Sequence, residues 1–268
     1  MVALCGVRKR YPGRGEVLAG IDLEIASGVP VCVAGGNGAG KSTLLRIAAG
    51  CASASAGRVT GRPPVVGYLP QALPSLPRMT VLAYLGHHAA MHGRARHAHG
   101  ALELLDELGF TGDRSAPMAT LSTGNLQKVG LAAALGCDPG LAVLDEPWTS
   151  LDVAAVAALE RLLASRAAGG PALLLADHTG RAAALPGANR LRLVDGRLAG
   201  DQPRPEWTTV VLRCPGDPAA VLAALPPVTR HWDEDGLLGL RLPATGGDAL
   251  LAAALVQGCS VIAVRRER

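Results

Sequence analysis

No run in this chain approaches the roughly 18 consecutive apolar residues that a membrane-spanning helix needs, although 49% of its 268 residues are apolar. The expectation is a protein soluble by itself, reaching a membrane only through a partner. A secretory leader is not expected, because Arg8, Lys9 and Arg10 interrupt the first apolar stretch. Basic clusters are short. Arg8-Lys9-Arg10 and Arg265-Arg266 are the longest, and 26 basic against 22 acidic side chains leave a net charge of only +4. That is not a nucleic-acid tract, so no nucleic-acid partner is expected. The six cysteines (Cys5, Cys32, Cys51, Cys137, Cys214, Cys259) contain no C-x-x-C pair and offer no zinc site. Several fall inside apolar runs, which reads as reduced, buried thiols in a cytosolic setting. Lysines number three and aromatic residues seven, so a motif demanding either at a fixed place is seldom met by chance.

One of the three lysines falls where such a motif demands it. The apolar strand Pro30 to Ala34 runs into Gly35, Gly36, Asn37, Gly38, Ala39, Gly40, Lys41, Ser42 and Thr43, and a helix carrying Leu44, Leu45 and Ile47 follows to Gly50. Strand, glycine-rich turn and helix are the context in which G-x-x-x-x-G-K-[ST] cradles phosphates. Backbone N–H groups curl around the anion and the helix N-terminus adds its positive end. Lys41 then reaches the β- and γ-phosphates and Ser42 ligates Mg²⁺. The second element, Leu141-Ala142-Val143-Leu144-Asp145-Glu146, is a buried strand ending in two carboxylates, at the sheet edge where ligands gather. Asp145 is placed to hold Mg²⁺ and Glu146 to polarise an attacking water. In the third, Leu121 to Lys128, Ser122 caps a helix running to about Gly136. On physics alone that segment is a capped helix or a small anion site.

Around these motifs, strands are expected at 2–7, 17–25, 57–61 and 65–69, and helical periodicity from Met79 to about Gly136. Strand Leu141–Leu144, a helix from Asp152 to about Ala168, strand Pro171–Ala176 and a hairpin turning at Asp195-Gly196 follow. Strands alternating with helices imply a mainly parallel sheet covered by helices. Asp201 to Glu206, with two prolines, reads as a linker. Beyond it the order is β-α-β-β-α-β with a turn at Asp235-Gly236, a split βαβ or ferredoxin-like unit. His87, His88, His92, His97 and His99 lie in the helical stretch, with His88 and His92 at i, i+4. That spacing leaves a metal site open against an ordinary solvated helix.

Together the motifs of residues 1 to 200 resemble the ATP-binding subunit of an ATP-binding-cassette (ABC) transporter. Gly35 to Thr43 is similar to the family's Walker A, Leu141 to Glu146 to its Walker B and Leu121 to Gln127 to its signature. Gln71 after Tyr68-Leu69-Pro70 sits as the Q-loop glutamine, Ser150-Leu151-Asp152 as the D-loop, His178 as the switch histidine and Tyr11 where an aromatic stacks on adenine. The signature departs from the commonest form at Thr123 and Asn125, where glycine and glutamine are usual. Gly36 stands where proline is common.

The resemblance implies an α/β fold. Its P-loop NTPase core is a mainly parallel sheet plus an antiparallel β subdomain, with a helical insert at about 71–140. A cassette at 1–200 would be followed by a small ferredoxin-like α+β domain at 201–268. The resemblance also implies an ATPase using ATP and Mg²⁺. Lys41, Gln71, Glu146 and His178 would serve catalysis; Ser42, Gln71 and Asp145 would hold Mg²⁺. Residues 35–43, Tyr11, Ser122, Gly124 and Asp152 would contact nucleotide, Ser122 and Gly124 in the site of a second cassette. Its partners would be that cassette, identical or not, and a separate membrane permease docked on the insert, placing the chain in the cytoplasm on the inner face of the membrane. The C-terminal layout resembles a domain appended to some bacterial drug- or antibiotic-exporter cassettes, which implies export. That domain would serve dimerisation, ligand regulation or packing alone. The alternative is a soluble, non-transport ABC ATPase.

Overall fold

Strands β6 (Leu141–Asp145) and β7 (Ala172–Ala176) are buried at every position, as strands covered on both faces must be. They are the second and third strands of a six-stranded sheet. Its order is β5 (Val66–Leu69), β6, β7, β3 (Val31–Ala34), β8 (Asn189–Val194), β9 (Arg197–Gly200). All neighbours are parallel except β8 and β9. The turn joining that last pair uses Asp195 and Gly196, both at positive φ, the twist that two-residue hairpins favour. A separate antiparallel sheet joins β2 (Glu16–Ile25), β1 (Val2–Arg10) and β4 (Ala56–Thr60). The strand β1 extends past the expected Val7, because Arg8 and Arg10 stay paired across to Ala19 and Glu16.

These observations come from a computed structural model that describes residues 1–13, 15–73, 76, 78–91, 93, 98–200, 207–215, 217–225, 228, 230–234, 236–243 and 247–267. The chain divides into two compact units, Met1–Asp201 and Gln202–Arg268. The expected linker at 201–206, His92, His97 and Asp235 of the expected turn lie outside the described residues.

Among the described residues the α-helices of the first unit are α1 (Lys41–Ala49), α2 (Val81–Met91), α3 (Ala98–Glu107), α4 (Thr123–Gly136) and α5 (Val153–Ala167). The apolar stripe of α1, with Leu44, Leu45 and Ile47, packs into the core shared by β1, β2, β3, β6 and β7. At roughly 1.5–3 kcal/mol per buried Leu or Ile, this contact anchors the turn preceding α1. On the other face, α5 brings Leu159 and Leu163 against Leu144, Leu173 and Leu175. Helices α2, α3 and α4 form their own core around Leu85, Leu105, Met118 and Val129. The fold is that of the P-loop NTPase cassette inferred from the sequence.

The second unit runs β10 (Trp207–Arg213), α6 (Pro218–Ala224), β11 (Arg230–Glu234), β12 (Leu237–Pro243), α7 (Gly247–Val256) and β13 (Ser260–Glu267). Its antiparallel sheet is ordered β11, β12, β10, β13, the split βαβ arrangement. Val210, Leu212, Leu238, Leu240, Leu250 and Ala254 form its core.

The cysteines differ in their surroundings. Cys32, Cys137 and Cys259 are buried, whereas Cys51 is exposed, following Gly50, the left-handed cap that ends α1. Cys214 and Cys259, 45 residues apart, meet at 3.3 Å between sulfurs. His88 has the Cys137 sulfur 3.9 Å from Nδ1, and His99 pairs with Glu103 at 3.2 Å. His88 and His99 thus have a sequence-distant and an i, i+4 neighbour respectively.

Candidate active site

Gly40 decides the shape of the phosphate cradle. Its φ is 104°, a conformation that side chains rarely adopt, and an added Cβ would lie 2.9 Å from Val17 Cγ1 and 3.0 Å from Val17 O. Helix α1 therefore starts hard against β2. Helices α4, α5 and α6 are capped by the side chains of Ser122, Asp152 and Asp217, whereas α1 has no side-chain cap. Its first-turn N–H groups face the cradle, where they and the helix dipole favour an anion. Lys41 Nζ donates to Gly35 O at 2.8 Å and to Gly36 O at 3.2 Å, which holds the ammonium over the loop.

Around this turn lies a cleft of about 210 Å³ lined by residues 36–43 with Tyr11, Val17, Gln71, Asp145 and Glu146. The structure thus brings Tyr11, Gln71 and both carboxylates to the cradle from three separate stretches of chain. Gly35 sits just behind it, lining a neighbouring pocket with His178. Tyr11, at the Pro12-Gly13 turn, has Lys9 Nζ 4.9 Å from its ring centroid, a cation–π contact. Val17 is a wall residue that periodicity marks only as a strand position.

The two acids at the end of β6 differ. Asp145 is 1% exposed and its Oδ2 has no hydrogen-bond partner. Burial pushes its pKa up; the Ser42 hydroxyl and the charges of Lys41 and Arg46 pull the other way without cancelling the shift. A buried, orphaned carboxylate oxygen beside a hydroxyl matches the oxygen donors Mg²⁺ takes, so these residues fit that ion. Glu146 is a left-handed residue, φ 53°. Its N–H donates to Ala176 O at 2.9 Å, and its Oε2 lies 2.5 Å from His178 Nδ1 and accepts from the His178 N–H at 3.4 Å.

Asp177 lies close enough to Glu146 and His178 to suggest a three-ligand metal cluster, the one such cluster among the described residues. Its oxygens are already committed. One accepts from Thr179 N–H and Oγ1, the other from Ala182 N–H at 2.9 Å. Asp177 therefore shapes the loop carrying His178, a role that its position after an apolar strand does not announce.

Ser122, Gly124 and Asp152 lie elsewhere, none of them lining the cleft of their own chain. Ser122 is exposed and accepts from the Asn125 N–H at 3.2 Å. A Cβ on Gly124 would come within 2.7 Å of Ser150 O, so only glycine lets α4 approach the loop after β6 this closely. Asp152 accepts from Ala155 N–H at 2.8 Å and pairs with Lys128 at 2.7 Å. Sequence reasoning assigned no role to Gln127, a buried amide on the inner face of α4; its signal is one polar residue where helical periodicity calls for an apolar one.

The profile of the ABC transporter family matches residues 18–149. The chain is 38% identical over 171 residues to the zinc import ATP-binding protein ZnuC of Cereibacter sphaeroides, covering 62% of this chain and 68% of that one. It is 37% identical over 206 residues to the aliphatic sulfonates import ATP-binding protein SsuB 3 of Nocardia farcinica, covering 74% and 78%. Among solved structures, the dimeric bacterial ABC transporter cassette MJ0796 superposes with a TM-score of 0.66 at 23% identity, covering 75% of this chain and 97% of that one. The post-hydrolysis dimer of the same cassette bound to ADP and Pi gives 0.65.

Proposed function

Since the chain belongs to the ABC transporter family and is an ATP-binding, ATP-hydrolysing cassette, we propose that it works as half of a pair, its signature segment completing the nucleotide site of a second cassette. One observation carries this reading: Ser122 and Gly124 stand at an exposed helix start outside their own cleft. An anion-binding helix start that does not face its own cradle suits the cradle of a second cassette. In each site the backbone of residues 35–43 and Lys41 hold the phosphates, and Tyr11 stacks on the base. Ser42 and Asp145, with Gln71, would hold Mg²⁺, which supplies charge neutralisation on the phosphates. Glu146 orients and deprotonates the attacking water, with His178 beside it fixing the carboxylate. Asp152 acts on nucleotide contacts through the loop that ends at it, where it caps α5.

Among the described residues no helix is long and apolar enough to cross a membrane. We infer a separate permease, contacted by the helical insert at 71–140 and holding the chain at the inner membrane face. The named relatives are import subunits, so they lend no support to the export suggested by the C-terminal layout. They favour transport over a non-transport ATPase. The C-terminal domain at 201–268 is read as an accessory to the cassette at 1–200.

Mixing two inactive variants tests the paired site. Lys41→Met removes a cradle contact and Ser122→Arg blocks the signature; a mixed dimer contains one site with both groups intact. Recovered ATPase activity on mixing supports the pair. A mixture as inactive as its components removes it.

A further inference from the structure

Glu146 holds its carboxylate from a left-handed backbone conformation, φ 53°, that is strained for a non-glycine residue. Such conformations persist where surrounding contacts over-determine them. Beside the turn bond from the Thr149 N–H to Glu146 O at 3.2 Å, three contacts from other segments do so here. The Glu146 N–H is fixed to Ala176 O at 2.9 Å and the side chain to His178. The third comes from Gln127, whose Nε2 donates to Glu146 O and to Pro147 O, both at 3.1 Å.

We propose that Gln127 is a positioning residue for hydrolysis, its carboxamide holding the Glu146–Pro147 backbone in the turn that aims the Glu146 carboxylate into the cleft. This rests on the reading of Glu146 as the water-activating base, and adds to it a group that does not line the nucleotide cleft. Gln127 is 6% exposed and surrounded on α4 by buried Val129, Gly130 and Leu131. An amide in such a place is costly unless its hydrogen bonds are made. Its NH₂ group has two protons, and the two carbonyls take both. Those carbonyls follow the last residue of β6, where the sheet ladder no longer serves them. An apolar side chain of the same size would fill the space but leave Pro147 O without its amide donor and Glu146 O with the turn bond from the Thr149 N–H at 3.2 Å alone. The same helix braces the rest of this loop, through Gly124 against Ser150 O and Lys128 on Asp152. The base is thus supported by the element that presents Ser122 and Gly124.

The test is a double-mutant cycle between Gln127→Met and Glu146→Gln in the full chain, read as steady-state ATPase kinetics with melting temperature and ATP affinity as folding controls. Gln127→Met is expected to lower kcat at least about tenfold with KM for ATP within about twofold. Adding it to Glu146→Gln should cost nothing further, because the group it positions is already disabled. Where Met lowers the melting temperature, Gln127→Glu, which keeps the length and removes the N–H donors, takes its place. Unchanged kcat, a loss confined to KM, or losses that multiply in the double variant would overturn the proposal while Glu146 keeps its role. Near-normal turnover of Glu146→Gln alone would remove the base reading, and the positioning role with it.

Discussion

His178 Nδ1 lies 2.5 Å from Glu146 Oε2, and the two ends of that contact differ in exposure: the glutamate side chain is 8% exposed and the imidazole 65%. The buried partner is the fixed one. Substituting His178 by Ala leaves Oε2 with only the longer backbone contact at 3.4 Å, so the carboxylate loses the group that orients it. Phosphate release by His178→Ala should fall at least about tenfold while ATP binding by titration is kept. The loss should not multiply with that of Glu146→Gln, since residues acting as a unit are non-additive. A His178→Ala variant with wild-type turnover would take the imidazole out of the chemistry.

Asp145 is an acid whose ionisation works against the fold. Burial raises its pKa above the ordinary 3.8, so the folded protein binds that proton more tightly than the unfolded chain. Ionised Asp145 therefore lowers stability at neutral pH, and the cost is relieved as pH falls through the folded value. Asp145→Asn removes the charge at nearly constant volume. Its melting temperature should exceed wild type at pH 7, with a gap that narrows in acid and is gone below about 3.8. Mg²⁺ at a hundred times its Kd should add about 2.7 kcal/mol to wild type and nothing to the variant, which loses Mg²⁺-dependent ATPase activity. Equal stabilisation of both by Mg²⁺ would place the ion elsewhere.

What could be read from the sequence was local. The cradle is legible because consecutive backbone groups of residues 35–43 make it, so chemistry and chain order coincide. The strand of Leu141 to Leu144 announces itself by four apolar residues, and Ser122 announces its helix as a cap. The β-α-β-β-α-β order of the second unit is legible from turn residues and apolar alternation. The illegible features are contacts between distant segments. Gln127 bonds to carbonyls 19 and 20 residues away, and nothing in the pattern of α4 names that target. Asp177 looks like a ligand until its oxygens are seen to be engaged by Thr179 and Ala182. Cys214 and Cys259 appear unrelated until β10 pairs with β13. All three lysines sit near these motifs, Lys41 in the cradle, Lys9 over Tyr11 and Lys128 beneath Asp152, but only the first follows from spacing.

Lys128 offers a separate handle on the loop after β6. Its ammonium is sheltered, donating to Asp152 Oδ2 at 2.7 Å and Gly109 O at 2.8 Å. The Lys128 hydrogen bond, then that from the Ala155 N–H, holds the Asp152 pKa below its ordinary 3.8. A depressed pKa contributes stability above the unfolded value that is lost as pH falls through the folded one. Lys128→Met leaves the Gly109 carbonyl unpaired and removes most of that contribution. It should melt lower than wild type at pH 7, with the difference shrinking below about pH 3.8. A difference independent of pH would assign the loss to packing alone.

The last prediction concerns the second unit. Arg213 of β10 faces Ser260 of β13, so the next pair outward is Cys214 and Cys259, with sulfurs 3.3 Å apart. Directly opposed residues of antiparallel strands have Cα spacings within the range a disulfide spans. Oxidised glutathione should therefore join them in two exchange steps, one thiolate attacking the glutathione disulfide and the second cysteine displacing the bound glutathione. The protein loses two hydrogens and two reduced glutathione molecules are released. Burial pushes the Cys214 thiol up to about 11, so thiolate is scarce near neutrality and the reaction should accelerate as pH rises. Closing a loop of this length is worth about 4 kcal/mol in the chain-entropy relation, seen as a higher melting temperature for the second unit. Mass spectrometry of peptides from the oxidised protein reads the outcome. A 214–259 cross-link absent from Cys214→Ser is expected, whereas glutathione carried only by exposed Cys51 would show that the two sulfurs do not meet in solution.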